Sequence, residues 1–171
     1  MRSGGNKKKT GLSLRKSKNR EYRDLWTRPG YLIRRLHQIH LGLFAEECGG
    51  EDITPVQFGV LTVLQGGDEM DQLTLSASVG IDRTSGADVF RRLERKGLLT
   101  RRPSDTDGRA KLIKITDQGR KFVNRVRPIM ARAQDRFVSP LSEPELEEFY
   151  RLVAKLIDAN DASSRASLRF G

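Results

Sequence analysis

Three sets of side chains in this sequence have types and spacings that could do chemistry. His37 and His40 stand three apart, a helical spacing that could hold a metal, yet no third ligand at helical spacing completes a site. Asp105 and Asp107 lie in the run from Pro103 to Gly108, whose composition is that of a hairpin turn and not of a catalytic pair. The third set is cationic. Arg83 is followed by the small residues Thr84, Ser85, Gly86 and Ala87, Arg91 comes two turns after Thr84, and Arg101, Arg102, Arg109 and Lys111 follow on a second basic stretch. Guanidinium and ammonium groups bind phosphate, and a guanidinium can also take a guanine edge, so this set points to a polyanion and not to bond-making chemistry. Neither an enzyme activity nor a cofactor or metal is expected.

The elements that must position these cations lie between Leu73 and Ile115. Residues 72–79 read as a short helix, Gly80-Ile81 as its turn, and residues 82–96 as a longer helix. On that helix Gly86, Val89, Phe90 and Leu93 share a packing face, while Thr84, Ala87, Asp88, Arg91 and Arg95 fall opposite. Asp82 is a good N-cap, and Gly97 supplies a left-handed C-cap behind Arg95 and Lys96. A strand from Leu98, the turn cluster, and a second strand from Arg109 to Ile115 complete a basic hairpin. This is a helix-turn-helix followed by a wing. Its short-chained first turns would enter the major groove while Arg83 and Arg91 reach phosphates or guanine edges.

These segments resemble the MarR (multiple antibiotic resistance repressor) family, from Ile53-Thr54-Pro55-Val56-Gln57-Phe58 through Leu93-Glu94-Arg95-Lys96-Gly97-Leu98 to Asp105-x-Asp107-x-Arg109-Ala110 and the following Asp117-Gln118-Gly119-Arg120. The resemblance spans about residues 29–160. It implies a mainly α fold with a small β-hairpin wing, a winged helix-turn-helix with terminal dimerisation helices, acting as a ligand-responsive DNA-binding regulator. It also implies that Arg109 enters the minor groove, braced by Asp107. Gly108 departs from the family, which usually carries a larger residue there. The expected DNA-contact set is Arg83, Thr84, Ser85, Ala87, Asp88 and Arg91 on the helix, with Arg101, Asp107, Arg109 and Lys111 on the hairpin.

Charge divides the chain. The net charge is +10, but residues 1–28 hold ten Lys/Arg against Glu21 and Asp24, which leaves the remaining body near neutral. Residues 1–28 therefore read as a basic flexible arm, either a phosphate-binding tail or a merely solvated one. Residues 29–160 form the domain, with a DNA-binding lobe at 53–115 and dimerisation helices at 29–48 and 116–160, and residues 161–171 form a tail. Pro29 opens a first helix closed by Gly49-Gly50, and Thr54-Pro55 caps a second whose Val56, Phe58, Val60, Leu61 and Leu64 are expected in the core. A long helix after Thr116 contains Pro128, an expected kink. Ser142-Glu143-Pro144-Glu145 fits a capping box for a last helix striped with Leu146, Phe149, Val153, Leu156 and Ile157. Those stripes exceed what a small winged lobe can cover, so they predict a homodimer and not merely a completed monomer core.

His37 and His40 lie on the side of the first helix that carries Ile33, Leu36 and Phe44. They are either hydrogen-bonded core-edge residues or, as the resemblance implies, part of an effector pocket. There Arg34, His37, His40, Phe44 and Phe58 would suit an aromatic or carboxylate-bearing molecule. The run from Arg28 to His40 resembles the first helix of family members linked to aromatic-compound catabolism, which extends the expectation to a small aromatic effector or its thioester. Cys48 has no Lys, Arg or His beside it in sequence and reads as a structural thiol. With no apolar run near the roughly 18–20 residues that span a bilayer, the chain is expected in the cytoplasm, away from membranes. The expected function is a repressor that binds a palindromic operator as a homodimer and is released by effector. The alternative is a nonspecific basic nucleic-acid-binding protein driven by the arm.

Overall fold

The computed structural model describes residues 25, 27–67, 69–105 and 110–163. Most of the basic arm, the wing-tip residues Asp107, Gly108 and Arg109, and the end of the tail lie outside the described residues. Two compact units divide between Ile39 and His40.

In the first unit, helix α1 (Pro29–Cys48) begins at Pro29, and its residues Ile33, Leu36 and Ile39 are exposed. The second unit starts within that helix, where Phe44 and Cys48, one turn apart, are buried. Helix α2 (Pro55–Gln65) is held at its start by a reciprocal pair: Thr54 Oγ1 accepts from Gln57 N at 3.2 Å, and Gln57 Oε1 accepts from Thr54 N at 3.1 Å. That box draws Gln57 inward to 4% exposure and turns Val56 out to 39%, which corrects the expectation that Val56 is core. Val60, Leu61 and Leu64 are fully buried, as their spacing requires.

Strand β1 (Met70–Asp71), helix α3 (Gln72–Ser78), helix α4 (Arg83–Arg95), and strands β2 (Leu99–Pro103) and β3 (Lys111–Ile115) follow. The expected hairpin is a three-stranded antiparallel sheet in the order β1-β3-β2, with Met70 opposite Ile113 and Leu99 opposite Ile115. Gly80 (φ 68°) and Gly97 (φ 69°) both adopt the left-handed conformation, ending α3 and α4. Gly86 lets α3 and α4 approach closely: a Cβ there would meet Ser76 Oγ and the Phe90 ring. Phe90, Leu93, Leu98, Leu99, Ile113 and Leu75 form one core with α2.

Helix α5 (Asp117–Val138) is capped by Thr116 Oγ1, which accepts from Gly119 N at 3.0 Å, and continues through Pro128 as one uninterrupted helix. Its Val123, Val126 and Met130 join the core, and Met130 Sδ lies 3.6 Å from Cys48 Sγ. Burial pushes the Cys48 thiol up, as suits a packing thiol. Arg125, Arg132 and Arg136 on α5 pair with Glu51, Glu47 and Glu46 at the end of α1 and the loop after it. Helix α6 (Glu143–Asn160) starts with the Glu145 carboxylate accepting from Ser142 N and Oγ, and buries none of its residues. Among the described residues no helix is long and apolar enough to cross a membrane.

Candidate nucleic-acid interface

Helix α4 is anchored at its N-terminus by Asp82. One carboxylate oxygen accepts from Thr84 N (2.9 Å) and Ser85 N (3.0 Å), and the other from Ser85 Oγ (2.6 Å). The Ser85 hydroxyl and backbone hold the Asp82 carboxyl below its ordinary range, so the cap is ionised at neutral pH. From that fixed start, Arg83, Thr84, Ser85, Asp88 and Arg91 are exposed and Ala87 half-exposed, while Gly86, Phe90 and Leu93 are buried on the opposite side. The expected helix contacts thus share one outward face. Arg91 Nη2 lies 2.5 Å from Asp88 Oδ1, and both side chains are more than half exposed. An exposed pair of this kind is worth little, so its guanidinium can exchange the carboxylate for a phosphate or base at small cost.

The hairpin arginines are placed differently. Arg101, expected to face DNA, is folded back onto Glu94 of α4 through Nε and Nη2, with its side chain 18% exposed. Arg101 is the leading reason the Glu94 carboxyl sits below the ordinary range. Arg102 is held between Glu69 (2.6 Å) and Asp105 (2.9 Å). These two arginines brace the hairpin against α4 and against the segment before β1. Lys111 is exposed on β3, and it lines one cleft with Arg83, Asp71, Gln72, Leu73, Ser76 and Ala110. Gln72, the first helical residue of α3, follows directly on the capping Asp71.

The expected effector residues belong to both units. In the first unit, Arg34 lies over the Tyr31 ring at 5.6 Å, and His37 is exposed. In the second, the His40 ring meets Phe137 edge-on at 5.6 Å, and its Nε2 lies 3.1 Å from Gln134 Nε2. Phe44 is 4% exposed and Phe58 packs against the core, so both carry structure whatever else they do. Among the described residues no three His, Cys, Asp or Glu side chains are grouped to hold a metal.

A helix-turn-helix whose second helix presents a short, cationic face, followed by an antiparallel hairpin, defines a winged-helix DNA-binding protein. A MarR family profile matches residues 51–110. The PcaV transcriptional regulator from Streptomyces coelicolor, solved in complex with its natural ligand, is 37% identical with a TM-score of 0.72, covering 80% of this chain and 96% of that one. The transcriptional repressor CouR, bound to a 23-mer DNA duplex, is 26% identical with a TM-score of 0.71, covering 78% and 94%. Bordetella bronchiseptica BpsR, whose DNA binding is regulated by 6-hydroxynicotinic acid, is 25% identical with a TM-score of 0.73, covering 77% and 94%. The chain belongs to the MarR family of transcription regulators.

Proposed function

We propose that this protein is a homodimeric repressor that reads a palindromic operator with helix α4 and leaves it when a small aromatic acid or thioester binds. The observation that carries this reading is the outward face of α4, where the short side chains of Thr84, Ser85 and Ala87 lie beside the exposed Arg83 and Arg91 on a helix whose other face is locked in the core. A symmetric dimer places two such helices about one helical turn of DNA apart, so half-site centres about 10 bp apart are expected. The unburied stripe of α6 supports the second copy. By family resemblance Arg109, braced by Asp107, adds a minor-groove contact, and the basic arm adds phosphate contacts. The ligand complex of PcaV and the regulation of BpsR by 6-hydroxynicotinic acid support the effector, with His40 as a contact residue on the second unit.

The test is selection of bound duplexes from a randomised pool, followed by the mass of the protein alone. Enrichment of an inverted repeat together with a dimeric mass is the expected result. A pool that returns unenriched, or a monomer at micromolar concentration, overturns the reading. Unenriched but tight binding would instead favour the nonspecific basic binder, and deletion of residues 1–20 would then abolish it. In the regulator that deletion weakens all sequences alike and flattens the salt dependence by about 0.9 per lost contact.

A further inference from the structure

Residues 116–120, where the Asp117-Gln118-Gly119-Arg120 motif opens helix α5, hold the ends of two helices of the winged lobe at once. Just past the end of α4, three consecutive carbonyls are taken by this segment. Thr116 Oγ1 donates to Gly97 O at 2.7 Å, Thr116 N donates to Leu98 O at 3.1 Å, and Gln118 Nε2 reaches Lys96 O at 3.5 Å. Gly119 is buried against the same stretch, and a Cβ built on it would stand 2.1 Å from Leu98 O and 2.8 Å from Ile115 Cγ1. A backbone oxygen cannot swing aside as a flexible side chain does, so this approach needs glycine. On the next residue, Arg120 Nη1 donates at 3.2 Å to Gln65 O, the carbonyl of the last residue of α2, which has no partner inside its own helix. The Gln65 side chain is held as well: Nε2 donates to Asn124 Oδ1 at 2.7 Å, and Oε1 accepts from Arg127 Nη2 at 2.5 Å. Arg120, Asn124 and Arg127 recur at helical spacing, so one face of α5 grips the end of α2.

We propose that Gly119 and Arg120 are positioning residues for operator recognition: they fix the angle at which α5 carries α4, and so the separation of half-sites that the protein accepts. The inference rests on the reading of this chain as a dimer that reads DNA with α4 and pairs through its terminal helices. Neither residue needs to touch the DNA. Hydrogen bonds are directional, so a joint fixed at the C-terminal ends of both α2 and α4 leaves the N-terminal turns of α4 pointing one way relative to α5. Helix α4 rises about 20 Å over its 13 residues, so a tilt of about 10° at the joint moves its reading end by about 3.5 Å, close to one base-pair step of the duplex. Recognition of one half-site lies within the lobe and does not depend on the joint. The separation of two half-sites does.

The test uses the full chain and inverted-repeat duplexes built from a half-site that the wild-type protein selects. The distance between half-site centres is stepped one base pair at a time, and a further duplex carries a single half-site. Wild type should have one best spacing and lose about 10-fold or more one step to either side. Arg120→Met removes the donors and keeps a long apolar stem, whereas Arg120→Lys keeps a cation that can donate to Gln65 O. Arg120→Met should bind the single half-site within about twofold of wild type yet flatten the spacing response to about threefold, and Arg120→Lys should restore most of the preference. Gly119→Ala forces α5 away from Leu98 and should move the best spacing by about one base pair or remove the preference. A merely structural role would instead weaken binding at every spacing and at the single half-site alike, with the ranking unchanged. The proposal is overturned by that pattern, by wild-type ranking and steepness in Arg120→Met or in a folded Gly119→Ala, or by Arg120→Lys faring no better than Arg120→Met. If Gly119→Ala does not fold, the Arg120 pair decides alone. A wild-type protein that binds every spacing alike would instead remove the dimeric-reader reading, and this proposal with it.

Discussion

Helices α4 and α6 are both amphipathic, and the fold treats their apolar faces in opposite ways. Phe90 and Leu93 of α4 are 1% and 0% exposed, packed among residues of α2, α3 and the sheet, while α6 leaves Tyr150, Leu156 and Ile157 between 42% and 58% exposed. The same sequence signal, apolar residues at helical spacing, therefore marks two different things. On α4 it marks a helix whose inner face is satisfied, so that its outer face is free to be polar, short and cationic. On α6 it marks a surface that one chain does not cover, and a stripe of this size argues for a partner. The proposed second copy makes these two regions complementary: one reads a half-site, and the other sets the distance between two readers.

The largest effect that sharpens the contrast is truncation of Phe90. Phe90→Ala removes a ring that is 1% exposed in the core and leaves a cavity, and should cost about 3–5 kcal/mol in urea unfolding. Leu156→Ala, on the open stripe, should cost the isolated chain less than about 1 kcal/mol and act instead on dimer dissociation, read as a concentration-dependent melting temperature. Equal losses at both positions would break the distinction between a satisfied and an open face. Next, Gly86→Ala drives a methyl group against Ser76 Oγ and the Phe90 ring, so a loss of about 1–3 kcal/mol is expected, with the helix-turn-helix loosened and DNA affinity falling with it.

Within the interface the contrast is between a guanidinium that can leave its partner and one that cannot. If Arg91 reads a base, Arg91→Ala should cost about 1–3 kcal/mol of operator binding and relax preference at one symmetric pair of positions. Arg101→Gln should weaken all duplexes alike, because it frees Glu94 and slackens the hairpin without touching a base. A base-specific change from Arg101→Gln in a binding-site selection would reassign it as a reader. The smallest effect is on pH. Glu94, Glu69 and Asp82 are held below their ordinary values, chiefly by hydrogen bonds from Arg101, Arg102 and Ser85. A carboxyl depressed in the folded state stabilises the fold above its unfolded pKa. That stabilisation is lost as pH falls through the folded value, so the melting temperature should decline below about pH 4.5. A melting temperature that rises on acidification would contradict the pairing.

Much of this was legible in the sequence because it is local. Thr54-Pro55, Asp82 before Thr84 and Ser85, and Gly97 after a basic turn each specify a helix end within a few residues, and the structure has each of them. Strand β1 was not legible, since two residues carry no periodicity and their partner, Ile113, lies 43 positions away in the chain. Val56 was assigned to the core by its type, but the capping box rotates Gln57 inward in its place. The pairing of Arg101 with Glu94, seven residues earlier, was not legible either, because it needs the turn at Gly97 to bring the two together. That Gln72, Arg83 and Lys111 line one cleft depends on three elements meeting and has no sequence pattern at all.

The central claim, that the outward face of α4 makes this chain a sequence-selective reader of DNA, is tested most directly by one competition titration. Wild-type protein on a labelled duplex from its own selection is displaced by the unlabelled same duplex and by a scrambled one, at a single salt concentration. The account predicts that the scrambled duplex competes at least about 10³-fold less well. Equal competition by the two would contradict it.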